Sequence, residues 1–410
     1  MENKKLTKLE KYWIMYDVGN SAFVMLIATI IPIYFNYLAK SAGISEVNYL
    51  AYWGYAASVS TVIVALIGPV LGSIADTQNY KKPLFTISMM VGVLGCAVMS
   101  FPTSWVVFLA VFVIAKVGYN ASLIFYDSML VDITSADRMD EVSSQGYAWG
   151  YIGSCIPFIL SLVLVLMYEK IGITMRMAMT GAFFLNAVWW AVVTIPLLRN
   201  YRQKNYVVMP SHSVKNSFKR LGQTFMDVHK EKKIFWYLLA FFFFIDGVYT
   251  IIEMATAYGS ALGLDSTGLL LALLVTQLVA FPCALICAKL SRKYPTERLI
   301  GVCIVAYIGI ALFAIQLDKQ WEFWTLAVLV GMFQGAIQAL ARSYFAKIIP
   351  AEKSGEYFGI YDICGKGASF MGTTLVGIVA QVTGMANAGV AVIAVLFVIG
   401  YILFKKAVRA

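Results

Sequence analysis

Twelve transmembrane helices in two six-helix bundles is the all-α integral membrane architecture that this sequence predicts. Three observations carry the prediction. Of the 410 residues, 60% are hydrophobic and only 13% are charged, against about 25% charged in soluble domains. The apolar residues gather into runs long enough to cross roughly 30 Å of hydrocarbon, which takes about 20 helical residues. A single long polar stretch, 198–233, parts those runs six and six.

The runs fall at 12–38, 49–75, 84–101, 105–133, 144–168, 174–197, 234–262, 267–290, 299–316, 322–348, 356–381 and 386–404, numbered helices 1 to 12. Lipid offers the backbone no hydrogen bonds, so each must be a helix. The first run follows the charged segment Met1–Lys11. It is too long for a signal-peptide core and lacks a small-residue cleavage site, so it reads as helix 1 and not as a leader. The expected units are an N-terminal bundle, 1–197, a basic linker, 198–233, and a C-terminal bundle, 234–410. Within the linker, Val214–Val228 has the pattern of an amphipathic surface helix.

Charge sets the orientation. Of 32 Lys and Arg, 25 lie in segments on the linker side of the membrane. Lys40, Lys170, Arg176 and Lys319 lie in the opposite loops, and Lys116, Arg342 and Lys366 lie within helices. By the positive-inside rule the linker and both termini are cytoplasmic. The net charge of +10 is then a topology signal, with anionic lipid headgroups as the alternative partner; nucleic acid need not be invoked. Cys96, Cys155, Cys283, Cys287, Cys303 and Cys364 lie in apolar helices and the two histidines, His212 and His229, in the linker. That pattern predicts packed thiols and no metal site or other cofactor. No Gly-x-x-x-x-Gly-Lys run is present, which excludes a nucleotide-driven pump of the P-loop type. No nucleophile–base pair stands out, and an enzyme is not expected.

The halves share a plan. Asp127-Ser128 through Asp137 superposes without a gap on Arg342-Ser343 through Glu352, matching Ile133 to Ile348, Asp127 to Arg342 and Asp132 to Lys347. A parallel repeat of six helices is what a two-lobed transporter requires. The loop between helices 2 and 3 reads Gly72-Ser-Ile-Ala-Asp76-Thr-Gln-Asn-Tyr-Lys81-Lys82, and the equivalent loop 8–9, Ala288-Lys289-Leu-Ser-Arg292-Lys293, keeps the cations and loses the acid.

The first of these loops resembles the signature of the major facilitator superfamily. Further motifs narrow the branch: Trp13-Ile-Met-Tyr16-Asp17-Val-Gly19-Asn20-Ser21 on helix 1, Tyr126-Asp127-Ser128 through Asp132-Ile133 on helix 4, Val142-Ser143-Ser144-Gln-Gly146-Tyr147 on helix 5, Gln338-Ala339-Leu-Ala-Arg342-Ser343-Tyr344 on helix 10 and Glu356-Tyr-Phe358-Gly359-Ile-Tyr361 on helix 11. They resemble the vacuole-effluxer-like family, whose fungal members export amino acids. The sequence departs from that pattern at Val18-Gly19, where an aromatic-Ala pair is usual, and at Met371-Gly372, where Gly-Pro is expected. The resemblance implies a cavity lined by helices 1, 4, 7 and 10. The short chain with minimal loops points to a bacterial plasma membrane; the expected state is a monomer.

The intramembrane polar residues concentrate on those same helices. Lys116 is the most telling. A cation at mid-bilayer costs roughly 2.5–3.5 kcal/mol on insertion scales and needs a partner or a wet cavity. Asn120 and Asp127 follow on its helical stripe. Lys116, Asn120, Asn20, Tyr249, Gln334, Gln338 and Arg342 are the expected substrate contacts. Lys116 alternatively serves as counter-ion to Asp246 or Glu253, the two carboxylates expected to carry a coupling proton. Asp17, Asp76, Lys81, Lys82, Asp127, Asp132, Asp362 and Lys366 are expected to brace or gate, with Asp362–Lys366 a self-satisfied i,i+4 pair.

These readings predict a secondary transporter of a small polar or zwitterionic solute, an amino acid being the first choice. It would work by alternating access and be driven by protons or the solute gradient. A multidrug or lipid exporter and a non-transporting sensor or scaffold are the alternatives. The first would need a larger aromatic cavity, and the second would show no flux in liposomes.

Overall fold

The computed structural model describes residues 5–208, 223–224, 226–261, 264 and 266–410. Among the described residues, twelve helices are long and apolar enough to cross a membrane. They are α1 (Lys8–Ser41), α2 (Glu46–Ala75), α3 (Lys81–Val98), α4 (Trp105–Ile133), α5 (Met139–Leu166), α6 (Met175–Asn200), α7 (Lys232–Ala261), α8 (Ser266–Leu290), α9 (Thr296–Ile315), α10 (Gln320–Ile348), α11 (Ser354–Thr383) and α12 (Ala386–Arg409). Most of the expected surface helix Val214–Val228, and His212, lie outside the described residues; 226–230 is helical.

Several helices outrun the apolar runs that announced them, because their first turns are charged. α1 opens with a capping box in which the Thr7 side chain accepts from the Glu10 N–H and the Glu10 carboxylate accepts from the Thr7 N–H. α5 starts at Met139, five residues before the apolar run, with Asp140 and Glu141 in its first turn. Acids there are favoured by the helix dipole. α1 breaks at Thr29, three residues before Pro32, whose ring would clash with the carbonyl of Ala28 in an unbroken helix. α4 has a joint at Met129.

α1, α5 and α6 pack together, as do α2, α3 and α4; on the other side α7, α11 and α12 pack together, α10 packs on both α8 and α9, and α9 also packs on α12. The two bundles meet where α2 and α4 cross α11 and where α5 crosses α8 and α10. Glycine makes the α2–α11 crossing close. A Cβ on Gly72 would stand 2.1 Å from the Gly355 carbonyl oxygen, and one on Gly359 would stand 2.6 Å from Pro69 Cα.

Candidate transport pathway and gate

At the linker end the bundles are tied by three groups of charged side chains. The central one is Arg342 of α10, 3% exposed. Its guanidinium reaches Asp127 of α4 at 3.0 Å, Asp17 of α1 at 3.3 Å and the Ser143 hydroxyl of α5 at 2.9 Å. It lies 4.7 Å from the Trp13 ring centroid and 4.5 Å from that of Tyr147. A planar, always-charged fork with aromatic faces around it suits arginine and not lysine. Gly146 leaves the space: a Cβ there would stand 2.4 Å from an Asp17 carboxylate oxygen. Asp127 and Arg342, laid opposite each other by the repeat, are thus in contact.

The second pair laid opposite, Asp132 and Lys347, is not. Asp132 takes the Tyr201 hydroxyl at 2.5 Å and the Asn205 N–H at 2.8 Å, which fastens the start of the linker to α4. It also lies 3.8 Å from Lys81. Lys347 instead pairs with Asp140 at 2.6 Å. The local partners are nearer than the position across the axis.

On one flank of Arg342, the Asp76 carboxylate accepts from the N–H groups of Gly355 (2.7 Å) and Glu356 (2.9 Å) at the start of α11, where the helix leaves its N–H groups unpaired and its dipole favours an anion. Lys81 is wholly buried between Asp76 (3.7 Å), Asp132 and the Ser354 hydroxyl (2.8 Å). Burial pushes the Asp76 carboxyl up to about 7, against the pull of Lys81 and of the two N–H groups. Lys82, expected beside it, is partly exposed and has no ion pair among the described residues.

On the other flank, Glu141 of α5 takes Arg292 at 2.5 Å, and Asp140 takes Thr296, Ser343 and Lys347. Asp140, Glu141 and Thr296 were not foreseen. The sequence shows them only as two adjacent acids just before helix 5, on the same side of the membrane as the basic loop 8–9.

Nearer mid-membrane the contacts thin. Gln334 donates to the Tyr151 hydroxyl at 3.4 Å, and Gln338 is partly buried. Asn20 is buried and donates to the Tyr16 carbonyl of its own helix. Asn120 is also buried. Lys116 is half-buried, 5.9 Å from the Phe112 ring centroid. The charges that act on it are Glu253 of α7 and Lys366 of α11. Glu253 is exposed, and Tyr249 is half-buried beside it. Lys366 pairs with Asp362 at 2.5 Å. Asp246 points the other way, into the C-terminal bundle. It is wholly buried and accepts from the Gly372 N–H at 3.0 Å and the Thr250 hydroxyl at 3.2 Å. A Cβ on Gly372 would stand 2.1 Å from that carboxylate, so glycine here is fixed by Asp246, and α11 runs through the position unbroken. Val18 and Gly19, the other departure, pack against α5 and α6, with Gly19 against Trp190. Lys116 is eleven residues from Asp127, which places it roughly 16 Å along α4 from the Arg342 layer.

A sealed charged end beneath a mixed-sign midplane group, in two six-helix bundles, defines a transporter of the major facilitator type. Comparison with known proteins agrees. The model of the family described as "Vacuole effluxer Atg22 like" matches residues 7–409, and the chain belongs to that family. It is 41% identical over 405 residues to the uncharacterized MFS-type transporter YxiO of Bacillus subtilis, covering 98% of this chain and 95% of that one. It is 24% identical over 283 residues to autophagy-related protein 22-1 of Aspergillus niger, covering 63% of this chain and 45% of the relative; the chain thus aligns with about half the length of such fungal relatives. Among solved structures, the outward conformation of FucP superposes with a TM-score of 0.74 at 11% identity, covering 98% and 97% of the two chains. A bacterial homologue of the iron transporter ferroportin, outward-facing, superposes at 0.71 and 14%, covering 98% and 99%. These two establish the fold.

Proposed function

We propose that the protein moves a small zwitterionic solute, an amino acid or a close analogue, across a bacterial plasma membrane by alternating access, with the linker and termini cytoplasmic. One observation carries the reading. A cation, Lys116 on α4 of the N-terminal bundle, and an acid, Glu253 on α7 of the C-terminal bundle, lie within membrane spans of opposite bundles, while the linker end below them is shut. A solute with a carboxylate and an ammonium group complements that pair and couples the two bundles when it binds. Tyr249, Gln334 and Gln338 would complete the site, and Asn20 and Asn120 would back it. The Arg342, Asp76 and Asp140 groups would be the inner gate, closed here and broken in the inward-facing state. Export is the direction the fungal family suggests.

Neither His212 nor His229 lies in the twelve membrane spans of the described residues, so a coupling proton would ride on a carboxylate, with Glu253 and Asp246 the candidates. A charge crossing 100 mV gains about 2.3 kcal/mol, enough for roughly fiftyfold accumulation.

The test is a thermal-shift screen of purified protein against amino acids, peptides, organic anions and amphipathic drugs, then proteoliposome flux with each hit. The expected hits carry both charges, and Lys116→Ala abolishes their stabilisation. Stabilisation by drugs alone, or an unchanged shift in Lys116→Ala, overturns the assignment. Glu253→Gln and Asp246→Asn locate the proton: the variant that keeps counterflow and loses uptake driven by a pH gradient is the carrier.

A further inference from the structure

A groove of about 520 Å³ runs between α9 and α12 at the linker end, on the outer wall of the C-terminal bundle. Gly301 opens its floor: a Cβ there would meet only the edge of the Tyr401 ring, at 3.9 Å. Val302, Val305 and Val408, all exposed, form its apolar walls together with Tyr401 and the buried Phe404. Its mouth carries Arg298 and Lys405, both exposed, with the Lys405 ammonium 5.4 Å from the Tyr401 ring centroid. Glu297 is the acid among the lining residues.

We propose that this groove is a binding site for one anionic diacyl phospholipid, with the phosphate on Arg298 and Lys405 and an acyl chain along Gly301, Val302 and Val305. The surface stands against hydrocarbon, so its apolar length asks for a chain. The two cations against one acid leave the mouth with a net positive charge, so it asks for a headgroup of net charge minus one. Basic pockets between helices on the cytoplasmic side are where such headgroups settle. A free phosphate satisfies the mouth and leaves the apolar length uncovered.

Native mass spectrometry of the purified full-length protein, with phosphatidylglycerol and phosphatidylcholine titrated at matched chain length, tests the assignment. The expected result is preferential retention of phosphatidylglycerol. Removing either cation, in Arg298→Gln or Lys405→Gln, lowers its affinity by about fivefold. Glu297→Gln raises it, and Gly301→Leu abolishes it by filling the floor with no change of charge. Circular dichroism and the thermal midpoint establish that each variant is folded. Equal retention of the two lipids, a Gly301→Leu variant that binds as well as the parent, or competition by glycerol phosphate at the lipid's own concentration overturns the proposal. None of these outcomes bears on transport of a zwitterion through the centre.

Discussion

The two flanks of the linker-side charged cluster are the same device with opposite polarity. On one, the loop supplies the carboxylate of Asp76 and the start of α11 supplies the N–H groups of Gly355 and Glu356. On the other, the loop supplies Arg292 and Thr296 and the start of α5 supplies the acids Asp140 and Glu141. The gap-free superposition that lays Asp127 on Arg342 also lays Ser291 on Asp76, Thr296 on Lys81, Lys347 on Asp132, Asp140 on Gly355 and Glu141 on Glu356. Loop 8–9 lacks the acid, and the helix it grips carries one more, Asp140, where the other flank has Gly355. The flanks differ also in wetness: Asp76 and Lys81 are wholly buried, whereas the Arg292 side chain is 39% exposed. Equivalent positions thus yield a dry latch and a wet one.

The largest expected effect follows from the dry latch. Lys81→Met leaves Asp76 and Asp132 without their shared cation, and breaking a buried pair costs about 3–5 kcal/mol. The closed fraction, read from distances between spin labels on the linker-side ends of α2 and α11, should collapse at pH 8. Lys82→Met, which removes no ion pair, should leave it unchanged. Parity between the two variants would mean that Lys81 is a spectator. Next in size is Gly355→Ala, whose Cβ would stand 2.6 Å from the Gly72 carbonyl oxygen and 2.8 Å from the Asp76 carboxylate. Overpacking of this kind costs about 1–3 kcal/mol, and it should open the gate at every pH. Wild-type closure in this variant would show that the α2–α11 crossing gives way.

Protonation separates the flanks further. The closed latch holds Asp76 at about 7, while an open, hydrated carboxyl returns to about 3.9. The closed state therefore binds that proton more tightly. Below about pH 4 both states are protonated and closure is fully favoured. Between about pH 4 and pH 7 the open state sheds its proton first, so closure weakens as pH rises, and above pH 7 the advantage is gone. The same spin-label distances, followed from pH 5 to pH 8, should show the closed fraction falling. Asp76→Asn should flatten the curve, and an unchanged slope in that variant would place the titrating group elsewhere.

The fold was legible because hydrocarbon allows the backbone so few solutions. Apolar length, the 198–233 interruption and the Lys/Arg bias constrain twelve helices before any side chain is placed. Some of the buried ion pairs were legible too, since Asp17, Asp76, Lys81, Asp127 and Arg342 break the apolar rule where only a partner could excuse them; Arg342 was expected to meet substrate and instead meets Asp17 and Asp127. Asp140 and Glu141 were hidden for the converse reason. Acids at a helix start are ordinary, hydropathy assigns them to a loop, and only the crossing of α5 with α8 and α10 gives them cations. Asp246 shares a face with Glu253 in sequence, yet close packing of α7 on α11 turns it toward Gly372. Which neighbour a helix presses against is set by tertiary packing, and periodicity carries no record of it.

The smallest expected effect is at the wet latch. An ion pair such as Glu141–Arg292, whose arginine is exposed although its glutamate is buried, is worth about 0.2–1 kcal/mol, because water and salt reach the guanidinium and screen it and both side chains lose freedom in making it. A double-mutant cycle with Glu141→Gln and Arg292→Gln, read from the closed fraction, should give a coupling energy within that range, falling as salt rises from 0.05 to 0.5 M. The Lys81 penalty should hardly respond to salt over the same interval, since no mobile ion reaches a wholly buried pair. A salt-insensitive coupling above about 2 kcal/mol would mean that Glu141 and Arg292 are sealed from solvent when the gate closes. The contrast between a dry and a wet latch would then fail, and the reversed polarity would be the only difference left between the two flanks.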